Sequence, residues 1–283
     1  MKPCLLASTK LAVLLNLCVI PSVMSADSPA GGRQRVGYRD TPMLPGNQWH
    51  VHDPDRPQPR PVDPGPAPTV PARAPSDAVL LFDGKDLAQW RTKDGQHPAW
   101  VIKDGVLEIP PAGTPNGGDM FTRREFGDCQ VHLEWATPDP PQGDIMNRGN
   151  SGLYFFGVYE VQLFDSYRGG IYADGQAAAI YGQFPPLVNA SRPPGQWQSF
   201  DILFTAPRFK ADQLESPAYV TVFHNGVGVH HHLAILGGTG HRILPKYQPH
   251  PARGAILLQA HGNPVRFRNI WVRELEPYDQ PEK

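Results

Sequence analysis

Three short stretches gather the side chains that acid–base chemistry uses. In Tyr159-Glu160-Val161-Gln162-Leu163-Phe164-Asp165 polar and apolar residues alternate, which puts Glu160 and Gln162 on one face of a strand and Val161 and Leu163 on the other. In Cys129-Gln130-Val131-His132-Leu133-Glu134-Trp135 the same alternation groups Gln130, His132 and Glu134. Gln259-Ala260-His261-Gly262-Asn263 follows an apolar run, and a histidine in such a polar turn is an acid or base candidate. If the two polar faces line one concave sheet, carboxylates, amides and an imidazole converge there. Such groups hold sugar hydroxyls and assist C–O cleavage. The alternative is that these faces are the solvated side of an antiparallel sheet. Gly143-Asp144-Ile145-Met146-Asn147-Arg148-Gly149-Asn150-Ser151-Gly152 joins the two strands, and from it Arg148 and Asn150 could reach a ligand.

Other candidates carry less. Cys129 shares the apolar face with Val131, Leu133 and Trp135 and reads as a core thiol. In His230-His231-His232 only His230 and His232 can share a strand face, and no spaced carboxylate or cysteine completes a metal set. Asp144, Asp165 and Asp174 are oxygen donors that could hold calcium, although their spacing matches no loop motif. No cofactor motif is expected. Serine-hydrolase elbow, zinc-protease helix, paired Cys-x-x-Cys and phosphate-loop patterns are all missing from the sequence. With 26 Lys+Arg against 27 Asp+Glu the chain offers no field to draw nucleic acid or an anionic membrane.

The elements that must position these residues read as strands. Glycine (28) and proline (33) are frequent, and β-type runs recur between them in this chain of 283 residues. The runs are Ala99 to Ile102, Val106 to Ile109, Cys129 to Trp135, Gly152 to Phe156, Tyr159 to Phe164, Ser199 to Thr205, Ala218 to His224, Gly228 to His232, Ala255 to Gln259 and Val265 to Glu274. Asp104-Gly105 and Asn225-Gly226 mark tight hairpins. Many strands with no helical stripe predict an all-β, two-sheet jelly-roll sandwich over 78–277. Residues 27–77 form a proline-rich extension, a spacer or a strap, and Met43, Leu44 and Trp49 suggest that part of it docks on the domain. Residues 278–283 are a short tail. At the start, Lys2 and Lys10 precede the apolar run Leu11 to Ile20, and Ser25-Ala26 follows, the pattern of a secretory signal over 1–26. The alternative is an uncleaved anchor, but the run is shorter than the roughly 20 residues of a membrane span. Cleavage would remove Cys4 and Cys18 and leave Cys129 without an intrachain partner.

An ordered series of motifs then resembles the 3-keto-disaccharide hydrolase domain family. It comprises Leu81-Phe82-Asp83-Gly84-Lys85-Asp86-Leu87 with Trp90, Trp100 with Asp104-Gly105 and Leu107, Phe126-Gly127-Asp128-Cys129, Leu133-Glu134-Trp135, Gly149-Asn150-Ser151-Gly152, Tyr159-Glu160-Val161-Gln162 and Phe267-Arg268-Asn269-Ile270. The resemblance implies a concanavalin A-like sandwich with a concave carbohydrate-binding face, and export to the periplasm or cell surface of a bacterium. It also implies elimination chemistry: a ketone at C3 acidifies the C2 proton, a base removes it, the glycosidic oxygen leaves C1, and water adds back. On that reading Glu160 or His261 is the base. Gln162, Arg148 and Asn150 hold the sugar and stabilise the enolate, Glu134 is an acid or a structural partner, and His132, Tyr154, Tyr181 and Gln183 are further sugar contacts. The sequence departs from the family at Ala260, where the family often has Asp. Two alternatives remain: a conventional glycoside hydrolase on the same fold, and a lectin-like binding module using aromatics such as Tyr154, Tyr167 and Tyr181.

Overall fold

The computed structural model describes Met1 and residues 36–142 and 144–279. Apart from Met1, the expected signal segment lies outside the described residues. The sequence cues for hairpins correspond to tight turns. Asp104 and Gly105 have φ of 52° and 76°, and Asn225 and Gly226 have φ of 54° and 79°. Two successive left-handed residues give the turn twist that matches paired strands. These turns join Val101–Lys103 to Val106–Glu108 and Tyr219–His224 to Val227–Ala234.

Two antiparallel sheets form the body. The eight-stranded sheet runs Val227–Ala234, Tyr219–His224, Gln198–Thr205, Cys129–Ala136, Arg266–Glu274, Val106–Glu108 and Val101–Lys103, with Val79–Phe82 also paired to Arg266–Glu274. The five-stranded sheet runs Trp90–Arg91, Met120–Thr122, Ile256–Leu258, Ser151–Phe155 and Tyr159–Leu163. Their inner faces supply one core in which Val131, Leu133, Trp135, Phe200, Phe204, Leu153, Tyr159, Val161 and Leu163 are buried. Phe155 from one sheet stacks on Phe204 from the other with ring centroids 4.0 Å apart. Each such side chain contributes roughly 1.5–3 kcal/mol relative to exposure. The Cys129 thiol lies in this core, where burial pushes its pKa well up and leaves it inert as a nucleophile. The fold is therefore the all-β sandwich that the alternation predicts.

The outer face of the large sheet is not open. The proline-rich segment crosses it, and since proline has no N–H it binds largely through its carbonyls. Arg192 donates from Nε to the Gly65 carbonyl at 3.0 Å and from Nη2 to the Pro66 carbonyl at 3.3 Å. Arg60–Pro61 pairs with Val188–Asn189 in parallel. Further on, the Ala72 N–H donates to Glu134 Oε1 at 3.2 Å, and Asn269 Nδ2 donates to the Ala72 carbonyl at 2.8 Å.

Under this strap lies a buried ionic network. Glu134 accepts from Arg268 Nε at 2.7 Å and from Asn269 Nδ2 at 2.9 Å. A register shift between Arg268 and Trp271, with Asn269 at φ 51°, turns both side chains onto the same carboxylate. His132 bonds through Nδ1 to Asp201 at 2.8 Å and stacks on Trp271 at 5.1 Å. Burial alone would raise Glu134, but its bonds from His132, Asn269 and Arg268 outweigh that and hold it at about 2. Burial alone would lower His132, but Asp201 and Glu134 outweigh that and raise it to about 9.

The raised histidine has a stability consequence. Its folded value of about 9 exceeds the ordinary 6.5, so the contribution of protonated His132 is complete below 6.5 and drains as pH climbs through 9. Melting temperature measured from pH 6 to 10 should fall less steeply in His132→Gln than in the parent chain. Parallel curves would show that the network stores no proton-linked stability.

Candidate active site

The Tyr159–Leu163 and Ser151–Phe155 strands pair so that Tyr154 faces Glu160 and Gly152 faces Gln162. Tyr159, Val161 and Leu163 turn into the core, so these four positions share the opposite, outer face. Gly152 is required there by contact. A Cβ on it would lie 2.4 Å from Glu160 Oε1 and 2.8 Å from Tyr154 Cε2. The carboxyl group of Glu160 therefore lies directly over the bare backbone of the neighbouring strand.

Above these residues is a cleft of about 450 Å³. Its polar side is formed by Glu160, Gln162, Tyr154, Asn150, Gln259 and His261. Among the described residues that line it, Glu160 is the one carboxylate. Glu160 is 3 % exposed. Burial raises its pKa to about 8, the nearby Asp119 charge adds to the rise, and the hydrogen bond with the Tyr154 hydroxyl opposes it. Burial also drives the Tyr154 phenol far up, so it stays protonated as a donor. Gln259 Nε2 donates to the Tyr154 oxygen at 3.2 Å, which leaves the phenol proton free to face Glu160. Gln162, which lines the cleft, is 2 % exposed and its Oε1 is a buried acceptor with no hydrogen-bond partner.

His261 stands exposed at the rim, in a turn braced by Asn263 Nδ2 donating to the His261 carbonyl at 3.2 Å. Beside it, the Ala260 N–H donates to Asp119 Oδ1 at 2.8 Å. A carboxylate from just before the Met120–Thr122 strand thus reaches this turn at Ala260.

The structure brings Glu160, Gln162, Asn150, Tyr154, Tyr181 and His261 to one cleft. It separates the other four candidates from them. Glu134 and His132 belong to the eight-stranded sheet, whereas Glu160 belongs to the five-stranded one, so the two polar faces do not share a concave surface. Both are engaged in the network under the strap, which corrects the reading of His132 as a sugar contact and leaves Glu134 as the structural partner rather than the acid. Arg148 is ion-paired with the buried Asp165 and does not line the cleft. Gln183 is buried and fully engaged: its Nε2 donates to the Gly237 carbonyl and its Oε1 accepts from the Leu236 N–H, each at 2.8 Å. It braces a loop rather than a ligand.

The remaining donors are likewise occupied. Asp174 accepts from the His52 N–H at 3.0 Å, and Asp144 accepts from the Met146 N–H at 2.9 Å. His230 Nε2 meets the Ala178 carbonyl at 2.9 Å, while His232 stacks on Tyr219 at 4.4 Å. Among the described residues, no group of three or more His, Cys, Asp and Glu could hold a metal ion.

Sequence reasoning missed several residues of the cleft: Tyr38, Met146, Asn147, Tyr172, His241 and Gln259. Met146, Asn147 and Gln259 stand inside motifs already singled out, next to residues that were chosen. Tyr38 and His241 come from remote segments, and nothing local marks them.

Comparison with known proteins places this architecture. Residues 77–273 match the model of the 3-keto-alpha-glucoside-1,2-lyase-like domain. A 3-keto-disaccharide hydrolase of Bacteroides thetaiotaomicron is 23% identical over 235 residues, which cover 70% of this chain and 78% of that protein. Among solved structures, a candidate glycosyl hydrolase from Parabacteroides distasonis is similar at 44% identity and a TM-score of 0.68, over 71% of this chain and 85% of its own. A second one from that organism, at 23% identity and a TM-score of 0.51 over 70% and 94% of the two chains, shares the fold. Since the matched residues carry both sheets of the sandwich and the Glu160 strand, the chain belongs to the 3-keto-alpha-glucoside-1,2-lyase-like domain family and is an enzyme of the glycoside hydrolase type.

Proposed function

We propose that the chain cleaves the glycosidic bond of a 3-keto-glucoside by elimination across C1 and C2, followed by addition of water, with Glu160 as the base. The observation that carries this reading is the solitary buried carboxyl of the cleft, raised to about 8. A conventional glycosidase needs two carboxyl groups flanking the scissile bond. Elimination next to a ketone needs one base, a proton source for the leaving oxygen, and donors for an enolate. In this scheme ionised Glu160 takes the C2 proton, the C2–H electron pair forms C2=C3, and the carbonyl π pair moves onto the C3 oxygen as an enolate. When the ketone re-forms, C1=C2 closes and the C1–O bond breaks, and the leaving oxygen takes a proton. Water then adds at C1 and a proton returns to C2, which gives the free 3-keto sugar.

The amides of Gln162 and Asn150 are assigned to hold the sugar and its enolate, and His261 at the rim is assigned the leaving oxygen. Arg148 has no part in this assignment, because Asp165 holds it. Export remains part of the proposal on the residue pattern of 1–26 alone, and would place the reaction outside the cytoplasm.

Glu160→Gln should lower turnover of a 3-keto-α-glucoside by roughly 10²–10⁴-fold, the usual contribution of a general base. Undiminished turnover would remove Glu160 from the mechanism. A base must be ionised, so kcat/KM should rise about tenfold per pH unit and level off above the Glu160 value of about 8. Tyr154→Phe deletes the bond that lowers this value and should move the midpoint higher. A profile that falls across the same range would make Glu160 an acid instead.

Gly152→Ala tests placement alone. The added methyl must displace the carboxylate, and roughly an ångström of displacement costs about 10²-fold in rate. The expected result is a large loss in kcat with a smaller change in melting temperature. Equal kcat in the two proteins would mean that the carboxylate position is not critical.

A further inference from the structure

The lining of the cleft is chemically mixed. Besides the polar groups it includes Tyr38, Met146, Tyr172, Tyr181 and His241. Tyr38, Met146, Tyr172 and Tyr181 also pack with Phe164 and Ile171 as a small apolar cluster apart from the main core. Tyr38 is contributed by the segment that precedes the matched family domain, residues 77–273.

That segment is built into the molecule by buried polar contacts. The His52 N–H donates to Asp174 Oδ2 at 3.0 Å, its Nδ1 meets Asp174 Oδ1 at 3.3 Å, and both side chains are fully buried. Arg56 adds a bond from Nη1 to the Gln183 carbonyl at 2.9 Å. His52 then packs at a tilt against Tyr172, with ring centroids 4.0 Å apart, and stacks at 5.2 Å on His241. Tyr38 is held in front by its N–H, which donates to the His52 carbonyl at 2.9 Å. This close approach depends on Gly37, where φ is +151° and a Cβ would lie 2.5 Å from the His52 oxygen. The Arg242 guanidinium lies 4.3 Å over the Tyr38 ring and pairs with Asp40 at 2.7 Å, which helps to fix the ring.

We propose that this aromatic wall, completed by Tyr38 from outside the family domain, is a leaving-group subsite selective for an aryl aglycone. The inference rests on the reading of the cleft as a glycoside site. The chemistry of the wall favours an aromatic ring over a second pyranose. The Tyr172 and Tyr181 hydroxyls bond to each other at 2.8 Å, and the Tyr181 hydroxyl bonds to His241 Nδ1 at 3.1 Å. The Arg242 charge is paired with Asp40. Much of the polar capacity of the wall is therefore spent internally: Tyr172 is 1 % exposed and backs the partly buried Tyr38, Met146 and Tyr181, which contribute two rings and a thioether to the lining. Offset or edge-on packing of an aryl group satisfies such a surface, whereas sugar hydroxyls would lose hydrogen bonds to water there.

The test is calorimetric binding to the full chain carrying Glu160→Gln, which prevents turnover by the proposed base. The ligands are phenyl α-glucoside, methyl α-glucoside and an α-linked glucose disaccharide, each plain and as its 3-keto derivative. The phenyl ligand should bind more tightly than the methyl one, and Tyr38→Ala should weaken it roughly threefold to tenfold, the worth of one aromatic contact. The methyl ligand should be unaffected, and Tyr38→Phe should keep the phenyl preference. An equal loss on phenyl and methyl ligands, no loss on either, no binding of any phenyl ligand, or a Tyr38 effect larger on the disaccharide than on the phenyl ligand would each overturn the proposal. A phenyl preference seen equally in plain and keto forms, with no turnover of keto substrates by the parent chain, would leave the subsite standing and remove the 3-keto reading instead.

Discussion

The site depends on one steric constraint, the absence of a side chain at Gly152 beside the Glu160 carboxyl. The pairing of Ser151–Phe155 with Tyr159–Leu163 sets which residues share the outer face, and the missing side chain sets how low the carboxyl can lie. Lying low is what buries it, and burial is the largest cause of its raised pKa. A one-residue slip of this register would send Glu160 and Gln162 into the core and Val161 into the cleft. The apolar inner face, with Tyr159, Val161 and Leu163 in the common core, is what forbids that slip. Packing on one side of the sheet thus specifies chemistry on the other.

The same period-two pattern has two fates in this molecule. On Cys129–Ala136 the polar residues His132 and Glu134 are buried beneath the strap, paired with the charges of Asp201 and Arg268 and, for Glu134, hydrogen-bonded by Asn269. On Tyr159–Leu163 the polar residues Glu160 and Gln162 are buried too, but neither has a charged partner, and Gln162 Oε1 has no partner at all. Carboxylates at 3 % exposure in both places carry pKa values on opposite sides of the ordinary one, about 2 for Glu134 and about 8 for Glu160. Burial acts in the same direction on both, and compensation by partners decides the outcome. A satisfied network holds structure together, and an unsatisfied one beside a cleft is where a ligand is expected.

This contrast explains what was legible in the sequence. Strand faces and tight hairpins follow from local rules, so Glu160 and Gln162 could be placed together and Asp104-Gly105 and Asn225-Gly226 could be read as turns. Sheet membership is not local. Cys129–Ala136 finds its partners in Gln198–Thr205 and Arg266–Glu274, and no alternation within it reveals that Glu160 lies in another sheet. Nor does a proline run disclose which face it will cover, so the burial of Glu134 and His132 was out of reach. Arg148 is not a cleft residue because Asp165, 17 residues further on, pairs with it, and nothing in the local sequence selects that partner. Tyr38 and His241 enter the cleft through anchors remote in sequence, His52 on Asp174 and Arg242 on Asp40, which are visible only once the chain is folded.

For Glu160 as the proposed base, a raised carboxyl pKa is at first sight a handicap, because at pH 7 only about a tenth of a group titrating near 8 is ionised. The gain in proton affinity outweighs this. If the rate of proton abstraction follows the square root of basicity, raising a glutamate from 4.5 to about 8 speeds its ionised form roughly sixtyfold. Against a tenfold loss in ionised fraction, the net advantage is about sixfold near neutrality, and it grows as pH approaches 8. A proton on carbon next to a ketone is a weak acid, so the strength of the base counts for more than its abundance. The protonated resting form has a second use, because a neutral carboxyl keeps an isolated charge out of a desolvated cleft until substrate arrives. Burial over Gly152, the Tyr154 hydroxyl and the nearby charge of Asp119 together set that balance on the one carboxyl group.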